Sequence, residues 1–312
     1  MIRLKRRGLL FLMLVVILLS ACSGLGETPT STPLSTATPT AAVPTPTSTV
    51  IPTPTMTSAP TNGEFKVHFI DVGQGDSILV DLGETEILID GGGRSPGVVQ
   101  YLRNYVDGSL DLMVATHPHA DHIGGLIGVL DAFEVDEIWH NGDFSTSQTY
   151  ADFMGAIQVE GAQVHIARRG DKVINGKLTF TVVHPFDLQG TTNNNSIVLR
   201  FSYGEIDFLF TGDAEVEAEG DMLVQSVIQM PDVEVLKVGH HGSRTASSPA
   251  FLAAIQPEVP IIAIYMAGTG NQYGHPHEET ITALNEVGAE IYGTDTHGTI
   301  IVSSDGFYLR VS

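Results

Sequence analysis

The chain has 312 residues and a net charge of −21, from 15 Lys and Arg against 36 Asp and Glu. That balance opposes non-specific attraction to DNA or to an anionic membrane surface. Cys22 is the single cysteine, which excludes an internal disulfide and any metal site built from several thiolates, so a metal must be held by nitrogen and oxygen.

Residues 1–21 read as an export leader. Arg3, Lys5, Arg6 and Arg7 precede an apolar run from Leu9 to Leu19 that is short for a membrane span. LSAC follows, resembling the lipobox of bacterial lipoproteins, so cleavage before Cys22 and lipidation of its sulfur are expected. An uncleaved anchor is the alternative, and either form exports the rest of the chain. Residues 22–63 repeat Thr, Pro and Ser irregularly. Such a segment cannot bury enough apolar surface to offset its ordering entropy and is expected to form an extended tether. The remaining residues, 64–312, suffice for one large core.

From Glu64 the text alternates apolar runs with turn signals. FKVHFIDVG, DSILVDLG and TEILIDGGG read as three strands closed by glycine or Asp-Gly, SPGVVQYLRNYV as a helix, and DLMVAT as the next strand. THPHADHIGG follows at once and GGLIGVLDAF is helical, so the histidines sit where a strand ends and a helix begins. Further strands are expected at VDEIWH, KLTFTVV, NSIVLRFSY, IDFLFTG, VEVLKVG, VPIIAIY, AEIYG and GTIIVSS. Helices are expected around AEVEAEGDMLVQSVI, PAFLAAIQ and PHEETITALNEVG. Together these predict a sheet-on-sheet core with helices outside, an α/β (α+β) class.

THPHADHIGG places His117, His119, Asp121 and His122 within six positions. Alternate residues of an extended loop turn to one side, so His117 and His119 can meet at one point, and Asp121 with His122 at another. Two ligand pairs on one loop suit two metals. Further candidates stand at strand ends: His184, Asp213, and His240 with His241.

FIDVGQGDSILV, LIDGG, ATHPHADHIGG, NNNSIVLRF, FLFTGDAE, VLKVGHHGS, YGHPHEETI and TDTHGTI, in that order, resemble the metallo-β-lactamase superfamily. They are most similar to its ComEC C-terminal-domain-like branch. The resemblance implies a four-layer αββα sandwich with a two-metal site along one edge. It implies that His117 and His119 bind one metal, Asp121 and His122 the other, and that Asp213 bridges them. One of His240 and His241 would complete the second site and His184 the first; capping a strand before Pro185 is the competing role of His184. Two divalent ions, zinc in first place and manganese in second, would acidify a bridging water into the attacking hydroxide. Asp121 and Asp213 are then the carboxylates at the reaction, with Asp121 able to shuttle a proton.

Around the metals, Asp71 and Asp90 are expected to orient ligand imidazoles, with turn chemistry as the competing role. Asn194 and Asn195 either bond substrate oxygens or fix their own loop. Ser243 and Arg244 lie beside the metals, Arg244 suited to phosphate unless an acid pairs with it. His275 lines the cleft, and His277 belongs to a helix's first turn. His68, His140 and His165 are structural, and Trp139 is packing. The expected activity is an extracytoplasmic, lipid-anchored phosphodiesterase or nuclease, with DNA or an envelope polymer as substrate class and a channel as partner. Hydrolysis of a small or envelope-linked phosphodiester, or of another ester, competes with it, as does a silent binding lipoprotein.

Overall fold

Strand alternation sets the layers. In the computed structural model, which describes residues 65–312 apart from 84, 96, 176–177, 225–232 and 256–260, Phe65, Val67 and Phe69 face one side of their strand and His68 the other. The expected leader and tether lie outside the described residues.

Strands β1 (Phe65–Phe69), β2 (Ile78–Asp81) and β3 (Glu86–Ile89) form an antiparallel meander. Helix α1 (Gly97–Leu102) leads to β4 (Leu110–Ala115), α2 (Ala120–Ala132) to β5 (Val135–His140), and α3 (Gln148–Glu160) to β6 (Gln163–Ile166). The pairings from β3 to β6 are parallel, as helical crossovers require. The second sheet begins with β7 (Lys172–Asn175), β8 (Leu178–His184), β9 (Val198–Tyr203) and β10 (Ile206–Phe210), all antiparallel. After α4 (Val216–Val224) come the parallel strands β11 (Val235–Lys237), β12 (Ile262–Tyr265) and β13 (Glu290–Gly293), with α5 (Pro249–Ile255) and α6 (Glu278–Glu286) between them. Finally α7 (Thr294–His297), β14 (Ile300–Ser304) and β15 (Leu309–Val311) return the chain to the first sheet, where β14 pairs with β1. The strand orders are β15-β14-β1-β2-β3-β4-β5-β6 and β13-β12-β11-β10-β9-β8-β7.

The expected αββα sandwich is what these layers make. Residues such as Val67, Val80, Ile87, Val114, Phe201 and Phe210 fill the space between the sheets. Leu88, Met113, Leu126 and Phe153 pack under one helical layer, and Leu209, Leu236, Phe251 and Leu284 under the other. The expectations did not include α3, β6, β7, α7 or β15. The start of α3 is nevertheless encoded by Ser147, whose side chain accepts a hydrogen bond from Tyr150 N–H, and its end by Gly161 in the left-handed conformation.

Candidate metal centre and cleft

The ends of β1, β3, β4, β10 and β11 deliver their following loops to one point. After β4, Thr116 and His117 remain buried, and His119 is the residue that begins α2. Asp121 and His122 fall in the first turn of α2. The glycines of HIGG and LIDGGG permit this arrangement: a Cβ on Gly125 would collide with the Gly91 carbonyl, so the loop after β3 lies directly on α2. Gly75 does the same for the loop after β1, which rests on the Asp121 carbonyl. After β11, His240 and His241 take consecutive left-handed conformations, at φ 46° and 56°, which turn both rings toward the cleft. Such backbone is costly for residues with a Cβ and is held here by its surroundings.

One oxygen organises the site. Asp213 Oδ2 lies 3.2 Å from His122 Nε2, 3.3 Å from His241 Nε2, 3.7 Å from His117 Nε2 and 3.8 Å from His240 Nε2. His117 Nε2 and His119 Nδ1 are 3.0 Å apart, and the Nε2 atoms of His122 and His241 are 3.3 Å apart. Asp121 Oδ2 is 3.4 Å from His241 Nε2. His117, His119 and Asp213 make one group, and His122, Asp213, His241 and Asp76 another, with Asp213 common to both.

This donor set fits divalent cations. Bonds of about 2.0–2.2 Å around a tetrahedral ion separate its ligands by roughly 3.3–3.6 Å, the scale of these contacts. Pairs of imidazole nitrogens facing each other beside the buried Asp213 Oδ2 are what such ions would resolve.

Behind the ligands stands a layer of acceptors. His122 Nδ1–H donates to Asp90 Oδ2 at 2.8 Å. Thr116 donates to the same carboxylate through its N–H and its hydroxyl, while His117 Nδ1 lies 3.1 Å from Thr116 Oγ1. Asp90 therefore orients His122 directly and His117 through Thr116. His241 Nδ1–H donates to the Met266 carbonyl at 2.9 Å, with Asp76 Oδ1 3.1 Å away. Asp76 thus sits on the Nδ1 side of the ring, behind the ligand face. Lys237, fully buried, pairs with Asp76, donates to the Gly212 carbonyl at 2.8 Å and approaches Asp213 Oδ1 at 3.8 Å.

Charge follows this geometry. Burial alone would lower His122 and His241, but Asp213 with Asp90 or Asp76 outweighs it and raises both well above the usual histidine value. Burial would raise Asp213, yet His122 and His241 hold it well below the carboxylate range. His117 is pushed down by burial and then by His122. Burial would also raise Asp121, and the hydrogen bond with His241 together with the charge on His122 lowers it instead.

The remaining expected residues divide. His240 lines the cleft with Nδ1 held by Glu215 and Thr245, both at 3.1 Å, and His275 lines it too. Burial and the neighbouring histidines push His275 down to about 4. His184 is not brought to the ligands: its Nε2–H donates to the Asn194 carbonyl at 2.7 Å. Asp71 is exposed and serves its turn, accepting from Gly73 N–H. The buried carboxylate of that loop is Asp76, five residues on. Asn194 and Asn195 fix loops: Asn194 Oδ1 accepts from Glu215 N–H at the start of α4, and Asn195 bonds Gln189 N–H and Asp143. Of the three consecutive asparagines, Asn193 is the one that lines the cleft. Ser243 is buried against Thr245, and Arg244, 60% exposed, pairs with Glu279. His68, His140 and His165 lie within their own strands.

The comparisons agree with the geometry. A profile of the metallo-β-lactamase superfamily matches residues 70–265. The chain belongs to the metallo-β-lactamase superfamily. Among curated proteins this family member is 31% identical to ComE operon protein 3 of Bacillus subtilis over 260 residues, 77% of this chain and 33% of that protein. It is 30% identical to competence protein ComA of Neisseria gonorrhoeae over 247 residues, 78% and 33% of the two chains. The chain thus spans about a third of the length of these relatives. Among solved structures, the metallo-β-lactamase fold protein YhfI of Bacillus subtilis superposes with a TM-score of 0.52 at 15% identity, covering 78% of this chain and 100% of that one. CmlA, a diiron β-hydroxylase from Streptomyces venezuelae, reaches 0.51 at 14%, covering 79% and 55%. A metallo-β-lactamase fold therefore carries more than one chemistry, and it is the residues around Asp213 that bear on function.

Proposed function

We propose that this superfamily member is a two-metal phosphodiesterase, a nuclease in first place, held outside the cytoplasmic membrane by a lipid on Cys22. The observation that carries the reading is Asp213 Oδ2, shared by two ligand groups on one cleft floor. His117, His119 and Asp213 would hold one ion, and Asp121, His122, Asp213 and His241 the other, zinc in first place and manganese in second. Bound there, divalent ions supply Lewis-acid polarisation of a phosphoryl oxygen and a nucleophile at neutral pH. Asp90 and Asp76 keep the imidazoles of His122 and His241 in place. Asp121, a third exposed (34%), stays ionised and is the carboxylate placed to take a proton from the attacking water. His240 directs Nε2 into the cleft because Glu215 holds its Nδ1, and with Asn193 it lines the space where a substrate oxygen would lie. Similarity to proteins named for competence supports nucleic acid as the substrate class, and a channel is the partner that this reading expects.

A second reading has its own support. With Arg244 engaged by Glu279 and a net charge of −21, a small or zwitterionic phosphodiester meets less repulsion than a polyanion. Purified protein is assayed for bound metal and for hydrolysis of bis-p-nitrophenyl phosphate, single- and double-stranded DNA and nitrocefin, with Asp213→Ala as control. Metal-dependent diester cleavage that the variant loses supports the proposal. Nitrocefin turnover without diester cleavage overturns it, and two bound metals without any activity favour a silent binding protein.

A further inference from the structure

The cleft continues beyond the ligands. A cavity of about 330 Å³ contains Asp213, His240, His241 and His275, and a second of about 570 Å³ adjoins it. The two share Gln74, Ala120, Asp121 and Tyr273, so one trough runs from the metal ligands outward to Arg94.

The wall of this outer trough is an aromatic ring held in place. Tyr273 is 55% exposed, a large apolar face for a residue in so ordered a loop. Asn271 ties that loop together: its amide donates to the Gly268 and His275 carbonyls at 3.1 and 2.6 Å, and its oxygen accepts from Tyr273 and His275 N–H at 3.1 and 3.0 Å. One side of the Tyr273 ring stacks on His275, with centroids 5.7 Å apart and planes at 23°. Arg94, the cation that lines the outer trough, is already bonded to Asp152 at 2.6 Å. Gln74 adds an amide whose Nε2 finds no acceptor in the protein.

A groove that follows a nucleic-acid backbone by charge needs unpaired cations along it, whereas stacking on an aromatic face needs none. The outer trough has the second character. We propose that it is a subsite for a planar heterocycle of nucleobase type, joined to the phosphodiester acted on at Asp213, with Tyr273 as its stacking platform. This deepens the phosphodiesterase reading and rests on it for the link between ring and phosphorus. Stacking also resolves the conflict of charge, since it draws a nucleotide to an acidic protein without contacting further phosphates.

Two measurements test this. In the first, metal-loaded protein is assayed on thymidine 5′-(p-nitrophenyl) phosphate and on methyl p-nitrophenyl phosphate, which share a leaving group. The nucleoside ester is expected to show the lower KM. Tyr273→Ala should reduce the ratio of kcat/KM for the nucleoside ester over the methyl ester by roughly fivefold to a hundredfold, the range for stacking one base. Tyr273→Trp should preserve the ratio. In the second, adenosine binding to metal-free protein is followed by saturation-transfer NMR, with transfer expected in the parent and lost in Tyr273→Ala. No preference for the nucleoside ester, or a ratio unmoved by Tyr273→Ala, overturns the subsite. If neither ester is cleaved, the phosphodiesterase reading falls, and adenosine binding alone then decides whether the trough takes a ring.

Discussion

Lys237→Met isolates the buried charge behind the ligands. The Lys237 ammonium has no exposure; it pairs with Asp76, donates to the Gly212 carbonyl and stands 3.8 Å from Asp213 Oδ1. At an effective dielectric of about 20, a charge pair at that distance interacts by roughly 4 kcal/mol, and the closer Asp76 pair by more. Taking the ammonium out of water offsets much of this, so the net value of the pair is small, but removing one partner leaves Asp76 charged and buried. The expected cost is about 3–5 kcal/mol. For a domain of this size it would lower the melting temperature by roughly 6–20 °C. The double variant Asp76→Asn/Lys237→Met leaves no uncompensated charge between those two positions and should recover at least half of the loss. Thermal unfolding followed by circular dichroism, with chelator present so that metal binding does not contribute, measures all three proteins. A Lys237→Met melting temperature within 2 °C of the parent, or a double variant less stable than the single, would refute the reasoning.

Metal content should separate the histidines: His241→Ala loses bound metal by mass spectrometry, whereas His184→Ala keeps the parent's stoichiometry because its Nε2 already serves the Asn194 carbonyl. Phe201 lies buried between the sheets, stacked 4.5 Å from Phe208, so Phe201→Ala should cost about 3–5 kcal/mol in urea unfolding with the native fold retained. Burial pushes His68 from 6.5 down to about 4. The unfolded chain therefore takes up that proton first as pH falls, and the contribution of His68, complete above 6.5, is lost between 6.5 and about 4. His68→Gln should flatten stability against pH in that window by at most about 1.4 kcal/mol per pH unit, and an unchanged slope in chemical denaturation would contradict it.

What the sequence made legible depended on whether a residue's partners were near it in the chain. THPHADHIGG shows its own geometry, because an extended segment running into a helix places His117, His119, Asp121 and His122 whatever the rest of the fold does. Asp90 was legible for the same reason, closing a strand three residues before Gly93. Asp76 was not, because its role exists only where the loop after β1 meets His241 and Lys237, 165 and 161 positions away. A signal was present all the same: Lys237 interrupts the otherwise apolar run VLKVG, and lysine is almost never fully buried without a partner. A lone lysine inside a core strand implies a buried carboxylate somewhere, and GDS at the entrance to an apolar strand was a natural place to look.

The choice between neighbours was harder still, since adjacent residues share every sequence-level argument. Asn193, Asn194 and Asn195 differ only in where a short 3₁₀ turn points each amide: one lines the cleft, one caps α4 and one ties the loop to Asp143. His240 and His241 differ in the same way, through two consecutive residues of left-handed backbone, a conformation uncommon for any residue with a Cβ. That strain has a consequence for function. An ordinary extended turn would send the two rings to opposite sides, one to the ligands and one away from them. Two consecutive left-handed residues keep both on the cleft, so that His241 closes on Asp213, Asp121 and His122 while His240, backed by Glu215, faces whatever lies against them. The doubled histidine therefore places two rings on one cleft, and the cost of its backbone is the reason to expect that both are used.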